Sequence, residues 1–439
     1  MTNYDFAAEQ QAIAAAWKKR TPALWPAARQ RAPWINQDGT SIGNYAHCLP
    51  AEHAEANLLP GNHAAIPLFR DLGIPWHCGI DDGPGNNLLS SQVQCVNALM
   101  PMVEDSQRIV RAFGRVVDIA EVLQIESGRY LTFEYIGPSD YFGEGAGKPR
   151  IRGTRCTSVD AAFLYRTSTG TTELALVEWK YTEKYTTLRT PNAGYDKTRI
   201  RRYGADYHDP SGPLRSDLMD IEWMLDEPFY QLMRQQLLAW RLERDGAEGA
   251  NVVRVLHVLP PDNEAYQQSL VRAEHRQLGD SVDEVWAGLL RTPDRFQHVD
   301  PAVFLDESIT SWDYVDRYSP SGTGDLPWGV SVWRDDERIV AAAYVYDQGF
   351  EWCHRRPHDE APRDVGKLAA MPAREYFPLA DDEKTIIVGP LEYARAFLRA
   401  AVATGLNEPD GLTSYSWPGR STEIVSAWPP LNLEDRLSS

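Results

Sequence analysis

Residues 152–183 read RGTRCTSVDAAFLYRTSTGTTELALVEWKYTE. Two strands are predicted there, over 158–166 and 173–182, separated by the turn-forming run Thr167-Ser168-Thr169-Gly170-Thr171-Thr172. The second, LALVEW at its centre, is apolar on both faces until it presents Glu178 and Lys180, which is how a central strand looks where it reaches a site. Side chains alternate along a strand, so Glu178 and Lys180 emerge on one side and Trp179 on the other. Pairing as a hairpin brings Asp160 beside them. Asp160 and Glu178 can then hold a hard divalent cation, with the Lys180 ammonium next to an activated water.

An Asp near a strand start, followed across a short hairpin by Glu-x-Lys at the end of a buried strand, resembles the PD-(D/E)XK nuclease superfamily. Val159 stands where its leading proline would be, a departure that superfamily tolerates. TSVDAAFLY and VEWKYTE, preceded by NLLSSQVQCVNAL and FEYIGPSDYFGE, are also similar to a bacterial restriction-endonuclease family, over roughly residues 40–310. The resemblance implies an α/β (α+β) fold: a restriction-endonuclease-like mixed-sheet core flanked by helices. It implies a Mg2+-dependent endonuclease, with Mn2+ able to substitute, that hydrolyses phosphodiester bonds, DNA first, in restriction or anti-phage defence. Asp160, Glu178 and the carbonyl of Trp179 would hold the metal, and Lys180 would orient the attacking water. Glu134, in a strand predicted over 130–136, is a further candidate carboxylate, and Gln92 is a candidate auxiliary on the helix ahead of these strands. Double-strand cutting would favour a homodimer.

Other readings stand beside this one. Glu178 can form a structural ion pair with Lys180 or Arg155, because ion pairs also perturb such groups. An RNase effector, or a silent nucleic-acid or effector-binding module on the same fold, would keep much of the pattern. The chain has only eight lysines, four of them at 148, 180, 184 and 197, which makes Lys180 at the mouth of a buried strand more telling. A second triplet, Asp382-Glu383-Lys384, sits in a polar turn with no Asp-bearing partner strand and reads as a solvated loop.

A chain of 439 residues exceeds one ordinary core. The expected division is an N-terminal extension (1–80), helical then irregular; a nuclease-like domain (81–305); and a smaller C-terminal α+β domain (306–439), a candidate binder of an activating partner. Five cysteines without a CxxC argue against a disulfide framework, and His47, Cys48, His53, His63, His77 and Cys78 fit no standard zinc spacing. No apolar run approaches the roughly 20 residues of a membrane span and no signal-peptide core is present, so a cytoplasmic location is expected. The net charge of -18 argues against nucleic acid as a partner, but phosphate contacts are local. Residues 148–202 hold twelve bases against five acids. Arg152, Arg155, Lys184, Lys197, Arg199, Arg201 and Arg202 are the expected phosphate ligands, with Tyr185, Tyr195, Tyr203 and Tyr207 free to stack or to pack.

Elsewhere the spacing predicts helices over 5–19 and 227–244, a helix capped by Ser90 or Ser91 and interrupted at Pro101, and a buried strand over 251–259. Residues 267–305 read as helical, and 45–78 resist assignment. Beyond 327, a hairpin over Asp335-Asp336-Glu337, a strand at 384–388, a helix at 391–404 and an irregular tail from 417 are expected, with no catalytic constellation apart from the weak exception of His354 and His358.

Overall fold

The apolar hairpin of residues 159–179 becomes the centre of a six-stranded mixed sheet. The computed structural model describes residues 5–21 and 23–319, together with the strand segments 328–335, 338–345, 354–357, 385–388, 415–417, 420–422 and 424–426. Two compact units divide the chain: residues 1–15 with 31–318, and residues 16–30 with 319–439.

In the first unit, α1 (Phe6–Arg20, of which residues 6–15 belong here) precedes the hairpin β1 (Ala32–Ile35) and β2 (Ser41–Tyr45). Helices α2 (Ala65–Leu72), α3 (Ser91–Leu99) and α4 (Ser106–Phe113) follow, then strands β3 (Glu121–Leu123), β4 (Leu131–Tyr135), β5 (Val159–Arg166) and β6 (Thr172–Trp179). The chain continues through α5 (Ala193–Tyr207), α6 (Phe229–Asp245) and β7 (Val252–Val258). It closes with short α7 (Glu264–Gln267) and α8 (Ala273–Arg276), then α9 (Val282–Leu289), β8 (Phe296–Val299) and α10 (Trp312–Tyr318).

Strand order is β3-β5-β6-β7-β8, with β4 alongside the first half of β5. β5 and β6 are antiparallel, whereas β6, β7 and β8 run parallel. A strand in the middle of such a sheet is covered on both faces, and Leu174 to Val177 of β6 are all 0% exposed. On one face Leu176 and Val255 pack in a core with Leu238 and Leu242 of α6 and Trp286 of α9. On the other, Phe163 lies against Phe113 of α4 with ring centroids 5.0 Å apart, and the Trp179 indole donates to Gln94 Oε1 of α3 at 2.9 Å. The alternation of β6 thus sends Trp179 to one helical layer and Glu178 to the other.

Ser90 caps α3 by accepting from Val93 N–H, and Pro101 sits in the 3-10 turn Met100–Met102 that separates α3 from α4, as the sequence predicts. The helix predicted from 227 begins at Phe229, with Pro228 as the residue before it. The segment that resisted assignment is stitched by buried asparagines. Asn57 donates to the carbonyls of Gly85 (2.6 Å) and Asn87 (2.9 Å), and Asn86 to those of Pro33 (2.8 Å) and Leu49 (2.7 Å). The helical expectation for 267–305 is corrected: only α9 is a helix of two turns there, and residues 296–299 form the edge strand β8. Four residues are too few to show a strand period, and it is pairing with β7 that makes β8 a strand.

In the second unit, Trp328–Asp335 and Arg338–Val345 form the expected hairpin, with Arg338 paired to Asp335, and Thr385–Val388 adds to its free side. His354–Pro357 and Ile424–Ser426 complete that sheet, so part of the tail expected to be irregular is extended. The predicted helix at 391–404, the triplet Asp382-Glu383-Lys384 and His358 lie outside the described residues.

Because Gln94 is the buried partner of the Trp179 indole, Gln94→Met fills similar volume but strands that N–H. The expected loss is about 1–3 kcal/mol of stability, read by chemical denaturation.

Candidate active site

Glu178 and Lys180 follow four apolar residues of β6 into the protein rather than into water: Glu178 is 2% exposed and Lys180 is 6%. Burying two charges is costly unless each is paired and hydrogen-bonded. Lys180 Nζ lies 2.7 Å from Glu178 Oε1 and donates to Gln231 Oε1 at 2.6 Å. Gln231 Nε2 donates to Glu178 Oε1 at 2.6 Å, and Gln235 Nε2 donates to Glu178 Oε2. Four residues apart on α6, Gln231 and Gln235 share a helix face and reach the same carboxylate. Lys180 N–H also donates to Val258 O at 2.8 Å, keeping the chain beside β7 past the end of β6. Burial works against the Lys180 charge, but Glu178, with Tyr185 and Glu183, holds its pKa well above the usual lysine value.

Ala161 pairs with Val177, so one step further along both strands Asp160 stands opposite Glu178. Phe133 pairs with Ala161 and Tyr135 with Val159, so Glu134 stands opposite Asp160 from the other side. Three carboxylates therefore occupy one level of three adjacent strands. Asp160 Oδ2 accepts from Trp179 N–H at 2.6 Å, while Oδ1 has no donor among the described residues. Glu134 has a left-handed backbone (φ 47°), a conformation worth roughly 1–3 kcal/mol of strain in a non-glycine residue. Its Oε2 accepts from Ser158 Oγ at 2.8 Å, whereas the Gln92 amide is held by the backbone, its Oε1 accepting from His77 N–H at 2.8 Å and its Nε2 donating to Pro75 O at 3.3 Å. Gly153 (φ 70°) presses on the same carboxylate: a Cβ there would lie 3.0 Å from Glu134 Cδ.

These acids repel one another. Burial, and then repulsion from Glu178, push the Glu134 carboxyl up to about 7. Burial followed by Glu178 and Glu134 holds Asp160 well above the usual carboxylate range. The buried thiol of Cys95 on α3 is raised by burial and by the same three acids.

Does a hard divalent cation fit? The repulsion focused on Asp160 is a deficit of positive charge, which a dication reverses. Asp160 keeps Oδ1 free, and Glu178 accepts three hydrogen bonds where a carboxylate offers about four lone-pair sites, leaving capacity on Oε2. The three acids do not converge as tightly as a closed cage. Among the described residues, the one trio of His, Cys, Asp or Glu with ligand atoms all within 4.8 Å is His257, Asp283 and His298. The Asp160–Glu178 pair fits a two-carboxylate site; Glu134 borders it.

The basic residues divide. Arg152 is used internally, donating to Thr132 Oγ1 (2.7 Å) and Phe133 O (3.2 Å) and pairing with Glu126 at 2.5 Å. Arg199 lies 4.0 Å from Asp196 and stacks over Tyr230, and Arg202 is half-buried. Arg155, Lys184, Lys197 and Arg201 are exposed. Lys197 and Arg201, four apart on α5, border an open groove with Gly194 and Thr198. The Glu178 ion pair is made with Lys180, not Arg155. Tyr203 and Tyr207 are buried in the core, whereas Tyr195 is 69% exposed.

Sequence reasoning missed Gln231, Gln235 and Cys95. Two glutamines four residues apart inside an apolar helix were the available signal for the first two. Cys95 carried none.

The model of a protein family described as "Restriction Endonuclease associating with ARP" matches residues 10–319. The chain belongs to this restriction-endonuclease family, and with it to the PD-(D/E)XK superfamily. The match is wider than the resemblance over 40–310 and takes in part of α1. No curated protein and no solved structure matches the chain.

Gly153→Ala meets both a positive φ and the Glu134 carboxylate, so it should cost about 1–3 kcal/mol in thermal or chemical unfolding. A carboxyl whose pKa is raised on folding stabilises the fold below its unfolded value and loses that stabilisation as pH rises through the folded one. For Glu134 the window runs from the ordinary glutamate value of 4.5 to about 7. In EDTA, the melting temperature of Glu134→Gln relative to wild type should therefore rise across that window. Mg2+ should stabilise wild type more at pH 8 than at pH 5, because burial and the neighbouring acids hold the Asp160 carboxyl toward its protonated form and protons compete with the cation for it.

Proposed function

From membership of that family, we propose that the protein is a Mg2+-dependent endonuclease that hydrolyses phosphodiester bonds in DNA, serving restriction or defence. The observation that carries this reading is the cross-strand level Glu134–Asp160–Glu178 with Lys180 bonded to its third acid. A buried ion pair adds little stability over apolar residues of the same size, so stability alone is a weak reason to keep one at the end of an apolar strand.

Asp160 and Glu178, with the carbonyl of Trp179, would hold the cation. Restriction endonucleases typically use Mg2+, which when bound polarises a phosphate and lowers the pKa of an attacking water. Lys180, charged at neutral pH, orients that water and offsets the negative charge growing on the phosphate. Gln231 and Gln235 are positioning residues that fix the Glu178 carboxylate and the Lys180 ammonium relative to each other. Glu134, strained and protonatable, borders the cation as an auxiliary acid, and Ser158 fixes its orientation, with Gln92 as a further auxiliary on α3. Arg155, Lys184, Lys197 and Arg201 are the exposed cations best able to take phosphates; Arg199 and Arg202 flank them on α5, and Arg152 supports β4.

The nuclease core is assigned to residues 81–305, with residues 31–80 and 306–318 packed into the same compact unit, and the residues beyond 318 as a smaller C-terminal α+β domain that binds an activating partner. The family's description as associating with ARP covers residues 10–319 and supports a partner for that part of the chain. A homodimer would let two such sites cut both strands.

Matched single- and double-stranded DNA and RNA, incubated with Mg2+, Mn2+ or EDTA, test the proposal on a gel. Wild type should cut DNA only with metal. Lys180→Ala and Asp160→Asn should lose at least about 10² in rate while circular dichroism shows them folded. Lys180→Arg should not restore cleavage, because a planar guanidinium cannot replace the compact ammonium. RNA cut in place of DNA would move the substrate to RNA, and metal-independent binding without cleavage by any variant would sink the catalytic reading.

A further inference from the structure

One strand beyond the carboxylates, at the same level of the sheet, the side chains change from oxygen to nitrogen donors. Glu178 pairs with His257 of β7, and His257 pairs with His298 of β8. Asp283, in the first turn of α9, joins the two histidines, each residue contributing a ligand atom within 4.8 Å of the others. His298 Nε2 and Asp283 Oδ1 are 3.4 Å apart. Two ligands on one tetrahedral ion with bonds of about 2.0 Å lie roughly 3.3 Å apart, so that pair already has the spacing of a shared ion.

His257 supplies the independent observation. Its ring is 1% exposed, yet Nδ1 is buried without a hydrogen-bond partner, and Nε2 has only a long 3.4 Å contact with Tyr266 Oη. A buried polar atom left unpaired is rare and costs about 1–3 kcal/mol. Burial first, and then His298 and Lys180, hold this imidazole well below the usual histidine pKa, so it is neutral and offers a lone pair. Asp283 is oriented from behind: its Oδ2 accepts from Gln267 Nε2 at 2.5 Å, and its N–H donates to Gln267 Oε1 at 3.2 Å. Such outer bonds are what hold a metal ligand in place. The His298 side chain is 44% exposed, which provides an entry path.

We propose that His257, Asp283 and His298 bind a transition-metal dication of the Zn2+ class, at a site separate from Asp160 and Glu178. Two imidazoles and one carboxylate suit Zn2+, Co2+ or Ni2+ rather than Mg2+ or Ca2+. Asp283 neutralises part of the charge. Three protein ligands leave a fourth position for water. The ion would bolt the four-residue edge strand β8 and the start of α9 to β7, stiffening the side of the sheet that carries Glu178. This does not depend on the nuclease proposal: the site could bind metal in a protein that cuts nothing.

The test uses the full chain, stripped with chelator and kept in millimolar Mg2+ so that hard oxygen sites are filled, then titrated with Zn2+ by calorimetry and with Co2+ by visible absorption. One equivalent should bind, with ligand-field bands of a four- or five-coordinate Co2+ centre and a rise in melting temperature. His298→Ala and Asp283→Asn, both at solvent-reached positions, should each weaken Zn2+ at least tenfold and abolish the bands. Asp160→Asn should leave them intact. A wild type that binds no stoichiometric Zn2+, bands that survive His298→Ala, or binding lost only in Asp160→Asn would each overturn the proposal.

Discussion

Two charges at the end of an otherwise apolar central strand set the terms for the rest of this structure. The effective penalty for removing an ion from water is several kcal/mol, and Glu178 and Lys180 both meet it. Their mutual contact is insufficient by itself, because a carboxylate and an ammonium each retain hydrogen-bonding capacity after pairing. The remainder is met by α6, whose Gln231 both donates to the acid and accepts from the base, and whose Gln235 holds the second carboxylate oxygen. The position of α6 over the sheet is thus fixed by polar bonds as well as by Leu238 and Leu242. Trp179, bound to Gln94 on the opposite face, prevents the strand from turning over.

Around that pair the sheet gathers unlike donors at one level. Glu134, Asp160 and Glu178 lie on three neighbouring strands, and His257 and His298 continue the same level onto two more. Hard oxygen donors on one side and imidazoles on the other favour different cations, so a single cross-strand register can separate two kinds of chemistry by the width of a strand. The left-handed backbone at Glu134 and the glycine packed against its carboxylate are local costs at this level, of the kind that cluster at functional sites.

The electrostatics of the whole chain obscure this arrangement. A net charge of -18 suggests repulsion from a polyanion, yet residues 148–202 are basic. The structure spends some of those cations on itself: Arg152 on Glu126 and the β4 backbone, Arg189 on Asp196. Those left exposed, among them Lys197 and Arg201 on α5, remain available to a phosphate backbone, whose contacts depend on local rather than total charge.

The sequence by itself determined the central hairpin, because an apolar run broken by Glu178 and Lys180 fits only a strand covered on both faces. It also determined α3 with its break at Pro101, α6, β7 and the pairing partner Asp160, since each follows from a period, a cap or a breaker within about twenty residues. Tertiary structure alone decided what surrounds the charges. Gln231 and Gln235 lie more than fifty positions from Glu178, and nothing local distinguishes a glutamine that faces an acid from one that faces water. β8 is four residues long and is a strand only because β7 lies beside it. His257, Asp283 and His298 belong to three elements whose meeting depends on that edge strand, so their spacing in the chain carries no motif. Which arginines remain free was likewise beyond the sequence, because an acid within reach is a property of the fold.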